Sequence, residues 1–242
     1  MIFDPFCDFE TRGYLRNSAG EKDLKVVKIL EHRSFLAKLD TAFKLLSGID
    51  HLSYQDVLNI HKTLFESVYP WAGLDRKQTA PDIAVSKGSV LFAHPDDAMT
   101  AVEHGLKIGK NAEVMARAPG EVMGYLAYGH PFLDGNGRTI MVIHAELAQR
   151  AGISIDWAAT SKSEYLTSLT RELEHPGKGH LDTYLTPFLR GAVGPGRLAN
   201  HLAGAAGLGD DSRQPVNEVL GRFDDPVLKA RYEKQEQQRR EP

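Results

Sequence analysis

Within one short stretch, His130-Pro131-Phe132-Leu133-Asp134-Gly135-Asn136-Gly137-Arg138, the chain brings together a proton acceptor, a hard oxygen ligand, two glycines and a fixed cation. The unperturbed pKa of a histidine lies nearest neutrality, so His130 can take a proton from an attacking hydroxyl. Asp134 offers a hard oxygen to Mg²⁺, which is usually held by one or two carboxylates plus substrate phosphates. Gly135, Asn136 and Gly137 allow a phosphate to approach backbone N–H groups closely, and Arg138 adds a planar donor fork suited to phosphate oxygens. Each of these residues alone is an ordinary turn or surface residue. Together, at this spacing, they describe metal-assisted attack on a phosphate ester or anhydride, with Phe132 anchoring the loop in the core.

The flanking pattern places this string between two helices. Val122 and Leu126 before it, and Ile140, Ile143 and Leu147 after it, recur at helical spacing. The loop therefore opens onto a helix N-terminus, where unpaired first-turn amides favour an anion. A long helix is expected from about Asp23 to Leu46, with Val26, Ile29, Leu30, Leu36, Leu39 and Phe43 near one face. Ser53 is a good N-cap for a helix carrying Val57, Leu58, Ile60, Leu64 and Phe65, closed by Pro70. Between Pro81 and Ala93, β-branched residues around Lys87-Gly88-Ser89 read as a short hairpin. Helices resume after Pro95, and again from Ser161 and His180, so the fold class is mainly α with one small β-hairpin.

Residues 1–20 lack helical period and are expected to form an irregular N-terminal arm. Gly194-Pro195-Gly196 marks a break that opens a C-terminal extension, residues 194–242. An Ala/Gly/Leu segment there suggests one weak helix, Asp210-Asp211-Ser212 starts a polar stretch, and charged residues predominate from Lys229. That end is expected to be partly disordered or an exposed, solvated helix.

Composition excludes several classes. A net charge of −3 provides no basic footprint for nucleic acid. A single cysteine, Cys7, rules out intramolecular disulfides and a cysteine-based zinc site, which also removes the deaminase reading of His144-Ala145-Glu146. No apolar run approaches the ~18–20 residues of a membrane span. A cytoplasmic setting is expected, with delivery to another cell as an effector left open.

The string resembles the signature of the Fic family (filamentation induced by cAMP), His-Xaa-Phe-Xaa-Asp/Glu-Gly-Asn-Gly-Arg-Xaa-Xaa-Arg. Leu64-Phe65, Tyr69-Pro70-Trp71-Ala72-Gly73 and Arg76 are similar to the segment preceding the active site in that family, and Ile83 to Phe92 to its substrate-docking hairpin. The resemblance implies a Fic-type helical bundle with a β-hairpin flap, a catalytic domain over 21–193, and transfer of a nucleoside monophosphate, by default AMP from ATP, to a Ser, Thr or Tyr hydroxyl of a target protein. It implies His130 as general base, Asp134 as Mg²⁺ ligand, Gly135, Asn136 and Gly137 as the α-phosphate cradle, and Arg138 as a phosphate-binding cation. The residues implied for target docking are Ile83, Ala84, Val85, Ser86, Lys87 and Gly88. Gly137 favours nucleotidyl over phosphoryl transfer, because family members of the second kind carry Lys there.

The chain departs from the signature at its final Arg, where it has Met141. Another cation such as Lys87 or Arg76 then substitutes, or the donor is a different phosphate-containing compound. A degenerate module that binds nucleotide or a partner without turnover is the third reading. The inhibitory helix of many relatives, carried in the chain or in a small antitoxin-like partner, has the pattern Ser/Thr-Xaa-Xaa-Xaa-Glu-Gly/Asn. Thr160 to Glu164 and Ser168 to Glu172 lack its closing residue.

Overall fold

The structure, a computed structural model, describes residues 2–194, 196–205 and 217–240. The chain enters through a short turn of helix, α1 (Phe9–Arg12), and a 3₁₀ turn at Tyr14–Arg16. The arm is ordered by burial: Phe3, Tyr14 and Leu15 join the main core. The long helix α2 spans Leu24–Ser47, with the Asp23 carboxylate accepting from Lys25 N. Its buried face differs from the expected stripe. Val26, Ile29 and Leu36 are exposed, while Val27, Glu31, Ser34, Phe35 and Leu39 face inward. Glu31 and Ser34 are polar residues on the core-facing side, and counting apolar positions alone turns the helix away from them.

Ser53 and Asp56 form a capping box that starts α3 (Tyr54–Phe65), which ends at Phe65 rather than at Pro70 because Val68 and Tyr69 turn back to its last carbonyl. A single turn, α4 (Arg76–Thr79), leads into β1 (Ile83–Lys87) and β2 (Val90–Leu91), the expected hairpin. Then come α5 (Ala98–Gly109), α6 (Ala112–Arg117), α7 (Pro119–Gly129) and α8 (Asn136–Arg150). α7 and α8 lie in the core of the bundle, with α5, α2 and α3 packed around them.

Two three-residue strands, β3 (Ile153–Ile155) and β4 (Leu189–Gly191), pair antiparallel and escape sequence reading because they are too short to show alternation. Between them lie α9 (Lys162–Glu174) and α10 (His180–Leu185). α11 (Leu198–Ala203) follows, and Pro195 and Asp210-Asp211-Ser212 lie outside the described residues.

The C-terminal extension requires a correction. Its last helix, α12 (Pro226–Arg240), is mostly exposed, but it is not a free solvated tail. Leu228 and Tyr232 are buried against Ala84 and Leu91 of the hairpin, forming a second small core. Ahead of it, β5 (Glu218–Arg222) adds to the hairpin's outer edge, giving an antiparallel sheet in the order β2-β1-β5. Among the described residues, no helix is long and apolar enough to cross a membrane.

Candidate active site

His130 sits at the C-terminal end of α7 in the left-handed region, φ 41° and ψ 56°. That conformation costs a non-glycine residue ~1–2 kcal/mol and turns the chain sharply from α7 into the loop. Gly129 lets α7 come close to α5, since a Cβ there would lie 2.6 Å from Val102 Cγ2. The imidazole lies flat on Phe92, with centroids 3.6 Å apart and planes at 10°. It is buried, and among the described residues its Nε2 has no hydrogen-bond partner. Burial, reinforced by the positive charges of Arg76 and Lys87, holds its pKa well below the ordinary value, so the ring is neutral at pH 7.

Arg76 has a structural task. Its Nε donates to the His130 carbonyl at 2.7 Å and its Nη2 to the Ala93 carbonyl at 2.6 Å, while its backbone N–H bonds Pro131 O at 2.6 Å. A fully buried guanidinium thus satisfies acceptors that the end of α7 leaves open, and burial lowers it to about 10. Its Nε and Nη2 are held by carbonyls and its Nη1 is buried without a partner among the described residues, so Arg76 is fixed at the end of α7. Lys87, by contrast, makes no ion pair among the described residues and faces the charges of Asp134 and Lys28. Met141 belongs to the main core.

Gly135 has φ +78° and is the N-cap of α8. A side chain there would be strained by conformation, and its Cβ would meet Phe65 at 2.7 Å. The first-turn amides of Asn136, Gly137 and Arg138 have no acceptor within the helix. A Cβ at Gly137 would meet nothing within 4 Å, so the helix surface at that residue is open. Asn136 plays a different part from the one its position in the motif implies. Its Oδ1 accepts from Phe132 N at 2.9 Å and its Nδ2 donates to Phe132 O at 2.7 Å. Its amide therefore ties the loop shut, which leaves the first-turn backbone N–H groups and Arg138 as the groups that could hold an anion.

Four charges interlock beneath the loop. Asp134 Oδ2 accepts from Lys28 Nζ at 2.5 Å and Tyr14 Oη at 2.9 Å, and Oδ1 from Gly135 N at 2.8 Å. Lys28 also lies 2.9 Å from Glu31, and Glu31 Oε2 is 2.5 Å from Arg138 Nη2. Tyr69 Oη donates to the other Glu31 oxygen at 2.5 Å. Burial opposes the charges of Asp134, Lys28 and Arg138. Even so, the partners outweigh it: Asp134 is held well below the usual carboxylate range, and Lys28 and Arg138 are raised. Two cations and two carboxylates leave the cluster neutral.

His61 supports the loop from α3. It stacks on Phe132 with centroids 3.7 Å apart, accepts from Gly73 N at Nδ1 and donates from Nε2 to the Asp134 carbonyl at 3.0 Å. Those two bonds fix its neutral tautomer, and burial lowers it to about 3. Tyr14, Lys28, Glu31, His61 and Tyr69 all lie outside the motif, and no spacing links them to it. The two candidate inhibitory glutamates are placed elsewhere: Glu164 is in the first turn of α9, and Glu172 accepts from Gly177 N and Leu181 N. His144 is a buried packing residue bonded to Pro119 O.

Residues 51–148 match the model of the Fic/DOC family. Protein adenylyltransferase VbhT of Bartonella schoenbuchensis is 31% identical over 173 residues, covering 66% of this chain and 34% of that protein. Probable protein adenylyltransferase y4lH of Sinorhizobium fredii is 27% identical over 179 residues, covering 70% of this chain and 88% of that protein. The chain thus spans about a third of the first relative and most of the second. Among solved structures, the BepC protein of Bartonella tribocorum with bound AMPPNP superposes with a TM-score of 0.62 at 17% identity, covering 79% of this chain and 99% of that one. A Fic domain from Bartonella quintana with bound ADP gives 0.62 at 21%, covering 79% and 97%. These likenesses establish the fold.

Proposed function

Because residues 51–148 belong to the Fic/DOC family, we propose that this chain transfers a nucleoside monophosphate, by default AMP from ATP, to a Ser, Thr or Tyr hydroxyl of a target protein. The observation that carries the reading is the Nε2 of a buried, neutral His130, unpartnered among the described residues, next to a loop whose far end is the N-terminus of α8 with Arg138 in its first turn. His130 takes the proton of the acceptor hydroxyl as the oxygen attacks the α-phosphorus. The α8 amides and Arg138 hold the phosphate oxygens as charge builds on them, fixed in place before reaction. The bond to the β-phosphate oxygen breaks, and diphosphate leaves with the electron pair.

Asp134 fits a Mg²⁺ held mainly by the nucleotide's phosphates, since its Oδ1 accepts only the Gly135 N–H and keeps a free lone pair. A metal there would neutralise charge on the leaving diphosphate. Lys87, free of ion pairs among the described residues, is the cation best placed to hold the outer phosphates in place of the family's final Arg. A donor lacking a γ-phosphate is the second reading, favoured by the burial of Met141 at that position. The working compartment is a reducing cytoplasm, of the producing cell or of a recipient. Incubating a lysate with a panel of nucleotides and Mg²⁺, then mapping added mass on peptides, tests the reading: added nucleoside monophosphate on hydroxyl residues supports it, and its absence with every donor defeats it.

A further inference from the structure

The hairpin edge that the sequence offers to a target segment is already taken. β5 pairs with β1 antiparallel, Ile83 opposite Arg222, Ala84 opposite Gly221, Val85 opposite Val219 and Ser86 opposite Glu218, with an irregularity after Ala84. α12 fastens this strand down. Tyr232 Oη donates to Asp97 at 2.8 Å, Gln235 Nε2 donates to Leu91 O at 2.8 Å, and Leu228 and Tyr232 seal the hairpin's outer face. Immediately before the strand, Asn217 Nδ2 donates to Leu133 O at 2.9 Å. Leu133 directly precedes Asp134 in the catalytic loop, so the first residue ahead of β5 reaches into the motif itself.

The sequence of this segment lacks what a substrate would supply. From Arg213 to Arg231 it contains no Ser, Thr or Tyr. The geometry points to β5 as a tethered substitute for the target protein, lying on the edge that the hairpin would offer a target, with Asn217 held at Leu133 beside the motif. The surface it covers then fits one kind of partner: an extended segment running antiparallel to β1, with its hydroxyl residue one position ahead of the residue paired with Ser86. Main-chain pairing would supply the docking affinity, and reach into the loop would supply acceptor choice. Asn217 fills the place with a side chain that cannot be modified, so the chain occupies its own docking edge without consuming nucleotide. A target must displace the strand to gain access.

The inference rests on the transferase reading, and the test separates the two. Asn217→Ser and Asn217→Tyr in the full chain, incubated with Mg²⁺ and ATP, should acquire one nucleoside monophosphate at position 217. The new oxygen bonds to the α-phosphorus, diphosphate departs, and the hydroxyl proton passes to His130. The reaction should be independent of protein concentration, since acceptor and site share one chain, and should vanish when His130→Ala is added. In parallel, Val219→Pro/Leu220→Pro places two prolines in β5, where they oppose its pairing with β1, at exposed residues outside the main core. Hydrogen exchange of 83–87 should speed up at least tenfold in that variant, and labelling of lysate proteins should rise severalfold. If lysate proteins are labelled while position 217 stays unmodified in both variants, the inference falls and the transferase reading stands. If no protein is labelled by any variant, both fall.

Discussion

Glu31 Oε2 lies 2.5 Å from Arg138 Nη2, so the cation of the proposed catalytic motif is paired from a helix more than a hundred residues earlier in the chain. Glu31 is fully buried, as is the Tyr69 hydroxyl that bonds its other oxygen, and Lys28 bridges it to Asp134. The catalytic loop and α2 are therefore one electrostatic unit. Removing one member leaves an uncompensated buried charge, which typically costs ~3–5 kcal/mol.

Glu31→Ala should lower stability by roughly that amount, as read from the urea midpoint. Combined with Arg138→Met, the loss should be smaller than the sum of the two single losses, because the second change removes the stranded charge. Additive losses would mean that the pair is not coupled.

Acid should unfold this protein early. His61 is lowered to about 3 and His144 to about 4 by burial, and His130 lies well below its ordinary value. An unfolded chain binds these protons near pH 6.5 whereas the folded one does not, so stability is complete above that pH and falls as pH drops below it. Each histidine contributes about 1.4 kcal/mol per pH unit in that window. Urea midpoints should decline progressively from pH 6.5 to 4.5, and a flat profile would contradict buried neutral rings. The acid limb of the transfer rate should likewise lie below pH 6.5, because His130 remains free to accept a proton there.

At the outer phosphates, Lys87 and position 141 should respond in opposite ways to substitution. Lys87→Ala removes a charge-assisted donor worth ~1.5–3 kcal/mol, so ATP affinity should fall about tenfold or more while AMP affinity changes little. Met141→Arg forces a long charged side chain into the core and should cost ~1–3 kcal/mol of stability without raising ATP affinity. Titration calorimetry and thermal melts decide both. Tighter ATP binding by Met141→Arg would show that the pocket still accommodates the missing cation.

How much could be read from the sequence follows from how local each signal is. The N-cap at Ser53, the hairpin around Gly88 and the loop between α7 and α8 depend on residues a few positions apart, and all three stand in the structure. The support of the site does not have that property. Tyr14 and Lys28 meet Asp134 across more than a hundred residues, and Glu31, a charge facing the core, contradicts the usual rule for helix faces until its partners are known. Asn136 was legible as a motif residue, but its bonds to both ends of the Phe132 peptide were not. β5 is half exposed and has no clear alternation, so only its pairing with β1 identifies it.

In the proposed reaction His130 drives attack at the α-phosphorus and the nucleoside stays on the acceptor. Labelling a lysate with ATP carrying its radiolabel at the α- or the γ-phosphorus tests this, with wild type and His130→Ala compared side by side. Protein-bound label should come from the α-position only and fall ~10²–10⁴-fold in the variant, as expected for loss of a positioned base. Label arriving from the γ-position, or undiminished transfer by His130→Ala, would contradict it.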